Sequence, residues 1–175
     1  MTRMQLYWIA TCFALLVGWL MPVSVRAAAQ TTPVDRVVVE KSARILRLYA
    51  GQTQVVAFPV ALGRSPVGAK ECEGDNKTPE GVFRIVGRKS DTAYFRSLRL
   101  SYPQAANVAH AASRGCQPGG NIMIHGLRDG FGWIGRLHRW LDWTHGCIAL
   151  TNEEVAKVAA LVADGADFLL FARRG

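Results

Sequence analysis

The chain has 175 residues, with 21 basic and 13 acidic side chains and a formal net charge of +8. That length fits a single catalytic-sized domain with one core, and no internal repeat, linker or low-complexity stretch divides it. The basic balance suits an anionic polymer or surface, but no basic run is interleaved with aromatics, which argues against nucleic acid as a partner.

The first residues, Met1 to Gln5, carry Arg3 and no acid, and an apolar run follows from Leu6 to Met21. After Pro22 comes Val25-Arg26-Ala27-Ala28-Ala29, where a signal peptidase could cut after Ala27 or Ala29. Residues 1–27 therefore read as a secretory signal peptide. The apolar run is shorter than the roughly 20 residues a bilayer span needs, so no stable membrane span is expected once the leader is removed. Cys12 lies inside the run rather than at its end, which argues against a lipoprotein. The expected location is the periplasm or cell envelope, with one domain over residues 34–172.

Residues 34–40 and 45–49 are rich in β-branched and aromatic side chains and read as a β-hairpin around Lys41-Ser42-Ala43-Arg44. Gly51-Gln52 turns the chain into a third strand, Val55 to Leu62, whose Pro59 predicts a sheet edge or a bulge. Residues 63–77 are turn-rich and polar. Thr78-Pro79-Glu80-Gly81 then delivers a strand over 82–86, with another expected from Leu98 to Ser101. Alanines dominate from Gln104 to Ser113 and predict a short helix. Asn121 to Gly126 reads as a buried strand with His125 at its tip. A Gly-, Arg- and Trp-rich loop follows from Leu127 to Trp143, with one helical turn near Ile134 to Leu141, long enough to form a lid or substrate wall. Thr151 or Asn152 caps a last helix through Ala163, with acids in its first turn, and Asp167 to Phe171 closes as a strand.

Thr144-His145-Gly146-Cys147 places a thiol two residues after an imidazole, before the apolar residues Ile148 and Leu150. A cysteine attacks as its thiolate and needs a base or a positive field to become one. Gly146 permits a tight turn that would aim the amides of Gly146 and Cys147 at a developing oxyanion. Four histidines compete for the role of base. His110 reads as a surface residue of the Ala-rich helix, and His138, near Arg136 and Arg139, as solvated or substrate-facing. His125 ends an apolar strand just before a glycine, and with a second apolar-flanked strand carrying His145-Gly146-Cys147 the residues read as a Cys-His site. Loss of the leader leaves three cysteines, an odd number in an exported chain. A Cys72–Cys116 bridge with Cys147 free is the first reading. Reduced buried thiols, or a metal site with His125 and His145, are its rivals.

The order Ile124-His125-Gly126, a loop, then Thr144-His145-Gly146-Cys147 resembles the signature of the L,D-transpeptidases, the YkuD-type catalytic domain of bacterial peptidoglycan enzymes. Lys77-Thr78-Pro79-Glu80-Gly81 and Pro118-Gly119-Gly120-Asn121-Ile122 resemble further family landmarks. The resemblance implies a mainly β, sandwich-like domain with a few short helices. It also implies Cys147 as nucleophile, His125 as general base, His145 shaping the site, Thr144 holding the turn, and an oxyanion hole around Gly146. No metal or other cofactor is implied. The expected reaction is acylation of Cys147 by a donor stem peptide with loss of its terminal D-amino acid, then transfer to the side-chain amine of a second stem. The protein would then be a carbapenem target with a part in cell-wall biogenesis and cell shape, with peptidoglycan stem peptides as partners and a monomer as the expected state.

Two departures mark a divergent subgroup. Many members carry Arg after His-Gly-Cys-Ile to hold a substrate carboxylate, where this chain has Ala149, so Arg128, Arg136 and Arg139 are candidates to compensate. Eighteen residues also separate His125 from Thr144, slightly more than the family's usual gap. Attack by water on the acyl-enzyme would instead make a carboxypeptidase or amide hydrolase, and a non-catalytic wall-binding domain is the reading from another class. A papain-like peptidase fits less well, because there the cysteine precedes its histidine.

Overall fold

The computed structural model describes residues 33–90 and 93–172. The segment expected to be a signal peptide lies outside the described residues. Among those residues, no helix is long and apolar enough to cross a membrane.

The chain starts with the hairpin its alternation predicts. β1 (Val34–Glu40) and β2 (Ile45–Ala50) pair antiparallel, with Val37 facing Leu48 and Val39 facing Leu46. Arg44 makes the turn possible at φ 51°, a left-handed conformation uncommon outside glycine. β3 (Thr53–Pro59) is the outermost strand of the order β3-β2-β1-β8-β4-β5-β6-β7, and its Pro59 sits at the strand's end, where no ladder partner is lost. β3 is shorter than the predicted strand. Residues 60–62 leave β2, and Ala61 exchanges both backbone hydrogen bonds with Ala149, at 3.1 and 2.8 Å. The sheet therefore curls until the chain beyond one edge strand meets the other.

β4 (Gly81–Lys89) joins the two halves. Its first part pairs with β8 (Val162–Phe171), its second with β5 (Ser97–Leu100), and the register shifts between Ile85 and Gly87. β5 leads to β6 (Met123–His125), and β6 runs parallel to the two-residue β7 (Ile148–Ala149). Phe83, Phe168, Leu46, Leu98, Ile124 and Ile148 meet inside the curl, each nearly or fully buried. The result is the mainly β, sandwich-like class expected, with α1 (Ala105–Ser113), a 3-10 segment (Gly132–Trp140) and α2 (Asn152–Leu161) outside the sheet.

α2 begins where its cap requires. Thr151 Oγ1 accepts the Glu154 amide at 3.3 Å and the Glu154 carboxylate accepts the Thr151 amide at 3.1 Å, a reciprocal box worth about 1 kcal/mol. The helix ends at Leu161, two residues before the predicted end, and β8 starts at Val162, five before the predicted start. Val162 pairs with Val34, and Ala166 and Phe168 enter the core, so tertiary packing draws this stretch into the sheet.

Two buried lysines hold the turn-rich loop between β3 and β4. Lys41 Nζ donates to the Gly68 and Thr78 carbonyls and to Glu80, at 2.5, 2.8 and 2.9 Å. Lys70 Nζ donates to the Cys72 carbonyl at 3.0 Å and to Asp75 at 2.8 Å. Each ammonium is thus compensated by a carboxylate and by carbonyl oxygens, as burial of a charge demands. A Cys72–Cys116 disulfide, with Cα atoms 5.8 Å apart, ties the same loop to the chain after α1. By chain entropy a crosslink of this span contributes roughly 4 kcal/mol.

Candidate active site

Parallel pairing of β6 and β7 puts Ile124 beside Ile148 and His125 beside Ala149. Met123 is therefore level with Cys147, and because side chains alternate along a strand, Cys147 and His125 project on the same face. Both line a cavity of about 560 Å³ together with His145, Thr144, Tyr94 and Trp143. Cys147 is half-buried and is the free cysteine among the described residues.

The turn before Cys147 is held by its own first residue. Thr144 Oγ1 donates to the Cys147 carbonyl at 2.8 Å and accepts the Gly146 amide at 3.1 Å. Thr144 is in turn pinned by its backbone to Leu62 and Arg64. Gly146 has φ 123°, and a Cβ there would stand 2.7 Å from the Lys77 carbonyl oxygen, so no other residue fits. Its amide, expected to face an oxyanion, is instead committed to Thr144 because the tight turn brings that hydroxyl beneath it. Gly126 is required for a different reason: a Cβ would lie 2.8 Å from Asn152 Oδ1 and 3.1 Å from Val155 Cγ1, under the first turn of α2.

His125 is 2% exposed. Its Nδ1 donates to the Gly126 carbonyl at 2.7 Å, since a carbonyl only accepts, and this leaves the lone pair on Nε2. Burial lowers its pKa, and the Gly126 carbonyl opposes the fall. Burial likewise raises the Cys147 pKa, against the opposing pull of the Met123 amide and the Lys70 charge. At rest the thiol donates to the Asn121 carbonyl, 3.5 Å away. Both shifts favour a neutral thiol and a neutral imidazole over a thiolate–imidazolium pair.

His145 is exposed at the cavity's edge, with Nδ1 2.8 Å from Asn76 Oδ1. Asn76 donates its amide nitrogen to the Gly74 carbonyl at 3.1 Å, so its oxygen faces the histidine and the His145 proton is on Nδ1. Nothing in the sequence singled out Asn76. Its φ of 56° is the one local signal, since asparagine tolerates that conformation better than most residues.

Of the three candidate arginines, Arg128 lines the cavity, while Arg136 and Arg139 do not. Arg139 is spent on a hydrogen-bonded ion pair with Glu154 of α2, and Arg136 is exposed on the 3-10 segment. Arg64, which the sequence reading passed over in a turn-rich stretch, lines the cavity beside Thr144. His138, expected to be solvated or substrate-facing, is not solvated but does line the cavity. It is 8% exposed, because the segment kinks at Gly135 (φ 52°, ψ −129°) and turns the ring inward.

Residues 34–169 match the family model for the L,D-transpeptidase catalytic domain. The chain belongs to the L,D-transpeptidase family. The helical cell shape determining protein Pgp2 from Campylobacter jejuni has a similar structure, with 28% identity over 83% of this chain and 50% of that one and a TM-score of 0.63. Bd1075 from Bdellovibrio bacteriovorus shares the fold at 22% identity over 81% and 48% of the two chains, with a TM-score of 0.56. So does an L,D-transpeptidase from Mycobacterium smegmatis, at 15% identity over 78% and 58%, with a TM-score of 0.52. This L,D-transpeptidase domain thus spans about half the length of the structures it resembles. No curated protein matches it.

Proposed function

We propose that the protein is a peptidoglycan L,D-transpeptidase of the cell envelope, exported by the signal peptide read at residues 1–27. The observation that carries this reading is a free thiol and a buried imidazole with its lone pair fixed on Nε2, both lining one cavity, His125 on β6 and Cys147 one residue before the neighbouring β7. His125 Nε2 takes the thiol proton as Cys147 Sγ attacks the carbonyl of the diamino-acid residue of a donor stem peptide. The tetrahedral oxyanion collapses, the C–N bond to the terminal D-amino acid breaks, and the imidazolium returns its proton to the leaving amine. A side-chain amine of a second stem attacks the thioester, giving up a proton to His125, and the thiol is released. His145, with its acceptor nitrogen on Nε2, shapes the rim where donor and acceptor stems enter. Arg64 and Arg128 supply the cationic groups for stem carboxylates, a role open here because Ala149 is completely buried. The protein acts as a monomer on the wall polymer.

Intact-mass measurement after incubation with a carbapenem tests the activated thiol. A single adduct on the wild type and none on Cys147→Ala supports the reading. An unmodified wild type counts against it.

A further inference from the structure

His138 has no part in the chemistry described so far, and its surroundings are costly for a histidine. The Trp143 indole N–H donates to its Nδ1 at 3.3 Å. Indole nitrogen cannot accept, so this contact puts the His138 proton on Nε2. That Nε2 is buried and has no hydrogen-bond partner. Burial, followed by the Arg139 charge, lowers the His138 pKa to about 4 despite Glu154, so the ring stays neutral and keeps its acceptor. A phenyl ring would fill the same space without an unpartnered N–H, so filling space does not account for an imidazole here.

What the imidazole gains is a hold on Trp143. The indole stands edge-on to His125, with ring centroids 5.7 Å apart and planes at 71°. Tyr94 packs tilted against His125, with centroids 4.2 Å apart, and also meets Trp143 at 6.4 Å, so the three rings form one cluster. His138 meets Trp143 at 6.4 Å and 85°, joining this cluster through the indole. The hydrogen bond from His125 to Gly126 fixes one edge of the base but leaves its tilt about that bond open. The Tyr94 and Trp143 rings packed against it close that freedom.

We infer that His138 is a positioning residue for the base: by holding the Trp143 indole through Nδ1, it fixes the wall that keeps His125 Nε2 directed at Cys147. This rests on the assignment of His125 as general base.

The test uses His138→Phe, His138→Asn, Trp143→Phe and the double variant His138→Phe/Trp143→Phe in the intact protein. Two readouts are taken: imidazole NMR signals of ¹⁵N-labelled His125, and kcat and KM on a tetrapeptide muropeptide. His138→Phe is expected to move the His125 signals and to lower kcat about 10-fold or more with little change in KM. His138→Asn, whose Oδ1 stands near the Nδ1 position, should restore most of both. Trp143→Phe should match His138→Phe, and the double variant should be no worse than either, since both remove one interaction. Unmoved His125 signals, a loss confined to KM, or losses that multiply would overturn the inference. Should His138→Phe fail to fold, His138→Asn and Trp143→Phe carry the same comparison. The NMR readout needs no turnover, so a protein inert toward stem peptides would overturn the proposed function while the His125 signals still decide this inference.

Discussion

Thr144 closes the turn that leads into Cys147, its Oγ1 donating to the Cys147 carbonyl at 2.8 Å while it accepts the Gly146 amide. Thr144→Val keeps the shape of the side chain but leaves a carbonyl and an amide without their partner, at about 1–3 kcal/mol. The carbapenem acylation rate should fall at least about 10-fold, and Thr144→Ser should keep most of it. Equal rates for Val and Ser would show that the hydroxyl does not hold the turn.

The neutral resting pair has a signature in pH. Burial raises the Cys147 pKa and lowers that of His125, so thiolate forms only as the pH climbs. Iodoacetamide labelling of Cys147 should therefore rise steadily above about pH 7, without the flat acidic-to-neutral plateau that a thiolate–imidazolium pair gives. A plateau from about pH 5 would show that the ion pair exists at rest.

Asp75 anchors the loop that carries Lys70. Burial alone would raise its pKa, but the Lys70 hydrogen bond and the amides of Lys77, Glu71 and Cys72 prevail and lower it to about 2. A carboxylate with a depressed folded-state pKa adds stability that is complete above its unfolded value near about pH 4 and is lost as the pH falls through about 2. Asp75→Asn should cost about 3 kcal/mol by leaving the Lys70 ammonium uncompensated, and should flatten the stability profile between those two pH values. Urea unfolding at several pH values checks both. A variant as stable as wild type at neutral pH would show that the pair contributes nothing.

Arg64 reaches the cavity beside Thr144, where a stem carboxylate would need a cation. Arg64→Ala should raise KM for a tetrapeptide donor about 10-fold, the worth of one charge-assisted hydrogen bond, with a smaller effect on kcat. Steady-state kinetics on soluble muropeptides makes the comparison, and an unchanged KM would remove Arg64 from donor binding.

Features with local causes were readable in the sequence. The β1–β2 hairpin shows in its alternation, α2 in its Thr151–Glu154 box, and the family in the two His-Gly landmarks at His125 and His145 taken in order. Features made by long-range packing were not. Leu161-Val162-Ala163 carries no Gly or Pro to stop the helix, and only pairing with Val34 reveals where β8 begins. Arg64, Lys70 and Asn76 lie in a stretch without periodicity, and the curl of the sheet is what brings it to the site. Lys70 followed by Asp75 in a Gly-containing loop was the signal available for the buried pair. Beside Arg136 and Arg139 the sequence leaves His138 either solvated or substrate-facing, and the kink at Gly135 turns it to the cavity, away from their direction.

In the proposed reaction Cys147 passes an acyl group from one stem peptide to another. Mass spectrometry of the purified protein incubated with defined tetrapeptide muropeptides, with Cys147→Ala alongside, tests it most directly. Crosslinked dimers that vanish in the variant are expected, with fragmentation placing the new bond on the diamino-acid residue of the donor. Shortened peptides without dimers would contradict transfer and make the enzyme a hydrolase on the same thiol. Unchanged peptides in both samples would contradict acylation itself.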